Sequence, residues 1–107
     1  MKPISGLPDD VISDVIEAVR DVLDDVNVEK FCIGITNDAE RRRSELDADG
    51  IVSLYRTYRP KNSKDIEVSL IEIFGKDPKF SKKAKHEDGE LSPDEVHYVY
   101  IAVWLKI

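Results

Sequence analysis

The sequence predicts an α+β domain, a small three-stranded, mostly antiparallel sheet with flanking helices, and three observations carry that reading. Apolar residues recur at spacings of three and four across residues 8–26, the period of a helix buried on one face. Three separate segments, 30–36, 51–58 and 97–107, are short and rich in β-branched and aromatic side chains, as strands are. Charged, capped stretches of helical spacing lie between them, so the order reads helix, strand, helix, strand, helix, loop, strand.

In the first helix, Pro8 suits the first helical position, and Asp9 and Asp10 favour the positive end of the helix dipole. Val11, Ile12, Val15, Ile16, Val19, Leu23 and Val26 form its apolar stripe, which carries the helix to residue 26. Its other face holds Asp14, Glu17, Asp21, Asp24 and Asp25 and would repel a phosphate backbone. The strand at 30–36 has Gly34 inside it, a place where another group approaches the backbone closely. Asn37 or Asp38 caps a helix to residue 47, since a side-chain oxygen there satisfies free amide donors. A loop over 47–50 leads into the strand at 51–58, which Pro60 ends, and Ser63 caps a third helix over 64–74. Ile66, Leu70, Ile73 and Phe74 form its stripe, and Gly75 stops it. Residues 76–95 hold few apolar anchors beyond Phe80 and Leu91 and read as a mobile loop, unusually long for a compact domain. The segment at 97–107 is almost continuously apolar, the pattern of a central strand.

A chain of 107 residues, 41% hydrophobic and 36% charged, has room for one core, so residues 1–107 form a single domain. One cysteine cannot form an internal disulfide, and no Cys/His spacing suits structural zinc, so packing must hold the fold. No apolar run approaches the ~20 residues of a spanning helix, and residues 1–10 lack a signal layout, which points to a cytoplasmic protein without a membrane partner. The net charge of −6 is unevenly spread: residues 1–30 hold eight acids and three bases, whereas residues 41–85 hold seven acids and twelve bases. A basic middle can present a local positive surface to nucleic acid on an acidic chain, although a solvated charged face has the same composition.

Residues 31–43, FCIGITNDAERRR, carry the chemistry most densely. The stretch resembles the strand, turn and helix that hold the second half of the active site in GIY-YIG nucleases. Cys32-Ile33-Gly34 takes the place of the YIG tripeptide, and Arg42 lies eight residues beyond the glycine, where the family has its arginine. Glu67, followed by Val68-Ser69-Leu70-Ile71, falls where the family has a helix-borne glutamate that binds one divalent metal. No GIY tripeptide precedes residue 31, but Tyr98-Val99-Tyr100-Ile101 looks like that strand placed at the other end of the chain. The implied fold is thus GIY-YIG-like, either circularly permuted or missing its first strand, with the helix at 8–26 as an addition.

The resemblance implies hydrolysis of DNA phosphodiesters with Mg²⁺ or Mn²⁺. Arg42 would stabilise phosphate charge, Glu67 would hold the metal, and Tyr98 or Tyr100 would position or activate water. The plain alternative for the tyrosines is packing, since Tyr98, Tyr100 and Trp104 share one face of a strand. Cys32 stands where the motif has tyrosine; it is either a buried apolar side chain or, in principle, a nucleophile. Leu46 stands one turn beyond Arg42, where members of the family often carry His or Tyr. Successive arginines on a helix lie about 100° apart, so only one of Arg41, Arg42 and Arg43 faces the site. Arg41, Arg43, Arg56, Arg59, Lys61, Lys82 and Lys83, interleaved with Tyr55, Tyr58 and Phe80, are the candidates for contacting a nucleic acid. Two functions follow: a divergent metal-dependent endonuclease, or an inactive nuclease-derived module that binds nucleic acid or, through the acidic helix, a protein. His86 and His97 are read as lone histidines rather than ligands.

Overall fold

The computed structural model describes residues 2–81 and 95–107. Within them the chain forms α1 (Pro8–Leu23), β1 (Val28–Thr36), α2 (Ala39–Leu46), β2 (Gly50–Thr57), α3 (Pro60–Phe74) and β3 (His97–Leu105). The strands make one open antiparallel sheet in the order β1-β3-β2, so the last strand is the central one, as its apolar run implies. Cys32 faces Ala102, and Gly34 faces Tyr100, across the β1–β3 pair. No helix among the described residues is long and apolar enough to cross a membrane.

The sheet has two different faces because side chains alternate along each strand. Phe31, Ile33, Ile35, Val99, Ile101 and Val103 point to one side, into the main core under α1 and α3. Cys32, Tyr100 and Ala102 point to the other, into a smaller cluster with Ala48, where Leu46, Ile51 and Trp104 also pack. In β2 the alternation is broken by a bulge between Ser53 and Tyr55. Leu54 and Tyr55 are consecutive, yet both are buried in the main core. An extra residue of this kind reverses every side chain beyond it. Arg56 therefore pairs with Tyr98 on the face of Tyr100, and Thr57 pairs with His97 on the other.

Both sheet edges are partly covered. Ile4 bridges to β2 through Ile4 N–H to Leu54 O (2.9 Å) and Arg56 N–H to Ile4 O (2.8 Å). On the β1 edge, Phe31 N–H donates to Lys79 O (2.9 Å) and Ser81 N–H to Phe31 O (2.7 Å), while the Phe31 and Phe80 rings meet edge to face at 5.6 Å. Such straps occupy backbone groups that an open edge would offer to another chain.

Several boundaries differ from expectation. Helix α1 ends at Leu23 with Asp24 as its C-cap, and Val26, expected on its apolar stripe, is exposed in the turn beyond. Pro60 opens α3 instead of only closing β2, because its fixed φ suits the first helical position. Ser63 is thus inside the helix, its hydroxyl donating to Pro60 O, and not its cap. The buried stripe of α3 is Ser63, Ile66, Glu67, Leu70 and Phe74, which leaves Ile73 exposed.

Candidate functional site

Helix α2 aims the candidate arginine. Asp38 Oδ1 accepts from Arg41 N–H at 3.1 Å, capping the first turn, and Asp47 closes the last turn in the left-handed conformation. With that register fixed, Arg41 and Arg43 turn outward, to Asn37 Oδ1 at 2.7 Å and to Glu40 at 3.3 Å. Arg42 turns in and is 9% exposed. Its Nε donates to the Tyr100 hydroxyl at 3.1 Å, and its Nη1 pairs with Glu45 at 3.4 Å.

Tyr100 is 1% exposed and lies against the backbone of Gly34. A Cβ built at Gly34 would stand 2.5 Å from the phenol oxygen and 2.8 Å from Cζ, so only glycine leaves the ring room. Cys32 lies two residues away on the same face, fully buried. Burial pushes its thiol up to about 11, against smaller opposing effects of Arg42, a backbone hydrogen bond with Ala102, and Lys30. At neutral pH it is a thiol and not a nucleophilic thiolate.

The structure brings Arg42, Tyr100 and Cys32 together on one face. Tyr98 is on that face too, half-buried, beside an open groove with Asn37, Asp38 and Glu40. Glu67 does not join them. It is 3% exposed on α3, the helix that covers the opposite face with Ile66 and Leu70. Among the described residues, Glu45 is a carboxylate in contact with Arg42. Among the described residues no group of three or more His, Cys, Asp and Glu is arranged to hold a metal.

The basic candidates also divide. Arg43 pairs with Glu40, and Lys61 with Asp65 at 3.2 Å. Arg56 and Arg59 are exposed, and among the described residues neither forms an ion pair. Arg56 sits over the Tyr58 ring, 5.4 Å from its centroid, and donates to the Tyr58 hydroxyl at 3.2 Å. Of the aromatics proposed to meet a base, Tyr55 is fully buried, with its hydroxyl donating to Gly6 O, and Phe80 packs on Phe31. Tyr58, 55% exposed, is left. Lys82, Lys83, Lys85, His86 and Leu91 lie outside the described residues.

Two features went unread in the sequence. Glu45 as the partner of Arg42 was signalled only by its spacing of three on a helix. Residues 3–7, which cover the β2 edge and reach Tyr58, carry no periodic signal at all.

Fold and site together define a class: a small α+β domain with an open three-stranded sheet and a buried arginine–tyrosine pair on one face. Compared with protein-family models, with curated proteins and with solved structures, the chain has no match.

Proposed function

We propose that the protein is a nuclease-derived, GIY-YIG-like module that engages nucleic acid without hydrolysing it. One observation carries this reading: Arg42 and Tyr100, the groups a nuclease of that kind would turn to the phosphate, are buried and hydrogen-bonded to each other. An arginine that stabilises developing phosphate charge has to present its guanidinium to the substrate. In Arg42 the Nε is engaged by Tyr100 and Nη1 by Glu45. The buried thiol at position 32 and the carboxylate of Glu67 on the helix over the other face remove two further parts of the hydrolytic set. Exposed Arg56 and Arg59 are the groups that favour a phosphate-bearing partner.

A second reading, a divalent-metal-dependent DNA endonuclease using Mg²⁺ or Mn²⁺, is favoured by the convergence of Arg42 and Tyr100 from positions 58 residues apart. Incubating supercoiled and single-stranded DNA with the protein and Mg²⁺ or Mn²⁺ separates the two. The module reading expects salt-sensitive binding and intact DNA. Cleavage abolished by both Arg42→Ala and Glu67→Ala would establish the endonuclease instead. Neither binding nor cleavage would leave a protein partner, for which the exposed acids of α1 are the available surface.

A further inference from the structure

Resting on the nucleic-acid reading above, the geometry points to an unpaired strand as the form of nucleic acid taken, and we propose that it seats at the β2–α3 junction, with a base on Tyr58. A groove of about 410 Å³ lies there between residues 5–7 and 56–62, within the range of about 300–1,000 Å³ usual for small-ligand sites. Its floor is mainly apolar, and it includes two of the most exposed large apolar side chains of the fold, Leu7 at 59% and Tyr58 at 55%. A solvated aromatic ring held beside an arginine is the platform on which single-stranded nucleic acids stack their bases. The ionisable side chains lining this groove, the phenol apart, are Arg56 and Arg59; among the described residues no carboxylate lines it.

The walls are fixed rather than pliant. The bridge at Ile4 and the bond from the Tyr55 hydroxyl to Gly6 O pin residues 4–6 to β2, and Gly6 takes φ +132°, which L side chains rarely adopt. Arg59 is the N-cap of α3, so its position follows from the helix start at Pro60. Phosphates on Arg56 and Arg59, with a base between, fit this arrangement. A duplex keeps its base faces stacked inside and has none to offer Tyr58. An acidic peptide would match the charge but would make no use of the ring's stacking face.

Fluorescence anisotropy with a labelled oligothymidylate and a duplex of equal length tests the assignment on the full chain. The single strand is expected to bind more tightly than the duplex, and Tyr58→Ala to weaken it by about tenfold while Tyr58→Phe preserves it. Arg59→Ala is expected to lower the salt dependence of single-strand binding by roughly one counterion. Thermal melts of each variant separate loss of contact from loss of fold, and both positions are exposed. Equal affinity for strand and duplex, unchanged by Tyr58→Ala, overturns this placement and leaves the broader reading standing. Competition by polyglutamate as effective as by the oligonucleotide also overturns it, assigning the groove to acidic polypeptide. Failure to bind either nucleic acid overturns the nucleic-acid reading beneath it.

Discussion

Arg42 and Tyr100 meet across 3.1 Å although 58 residues separate them in the chain, and their bond fastens α2 to the central strand of the sheet. A guanidinium this buried is held by its partners and not by water, so removing it leaves a hydroxyl and a carboxylate to find new ones. Arg42→Ala is expected to destabilise the fold by about 2–3 kcal/mol and Tyr100→Phe by about 1 kcal/mol in urea unfolding. Because each change removes the same bond, the double variant should fall short of the sum by about 1 kcal/mol. Strict additivity would mean that the pair does not act as a unit.

Gly34 and Tyr100 form the second half of that arrangement. Since an added methyl at position 34 would overlap the phenol, Gly34→Ala must displace the ring and with it the bond to Arg42. Overpacking of this kind costs about 1–3 kcal/mol. The same substitution in a Tyr100→Leu background, which lacks the ring, should cost less than half as much. Calorimetric melting of the four proteins measures both. A penalty unaffected by the Leu background would place the strain elsewhere, in the strand backbone itself.

How much of this was readable from residues alone depends on the range of the interactions. Local signals served well: the Asn37-Asp38 pair announced a cap, Gly34 announced a close approach, and the apolar run at 97–107 announced a central strand. Two consequences of packing were not announced. The bulge at Leu54 carries no Gly or Pro, yet it decides that Arg56 joins the Tyr98 face and Tyr55 the core. Position 67 reads, from the resemblance, as the metal ligand, whereas α3 buries it over the opposite face, because α3 uses the stripe of Ser63, Leu70 and Phe74. Pro60 was ambiguous for a simpler reason: the residue that ends a strand also begins a helix well.

The strap on the β1 edge carries one ring. Phe80 meets Phe31 edge to face beside the two backbone bonds around Phe31. Phe80 is only partly buried, so Phe80→Ala should cost a modest ~1–2 kcal/mol. Its clearer signature is local. Amide exchange at Phe31 and Ser81 should accelerate, while Ile4 and Arg56, bonded at the opposite edge, keep their protection. Equal acceleration at both edges would show that the ring supports the whole sheet and not one strap.

Cys32 makes stability depend on alkaline pH, and the sign follows from its burial. The thiol titrates near 9.0 when unperturbed and is pushed up to about 11 in the fold, so between these values the unfolded chain releases a proton that the native chain keeps. Fewer protons on the unfolded state mean that stability falls as pH rises. The contribution is fully present below pH 9 and is lost as pH climbs through about 11. Tyr55, also raised by burial, acts in the same direction at higher pH. Urea unfolding at a series of pH values should therefore show a steeper alkaline decline for the wild type than for Cys32→Ala, whatever the Ala variant loses in packing at neutral pH. Ellman's reagent should react with native Cys32 far more slowly than with unfolded chain at pH 8, since the reactive thiolate is both scarce and enclosed. Rapid reaction in the native state, together with identical alkaline slopes, would place the thiol in solvent and remove its part in the cluster beside Tyr100.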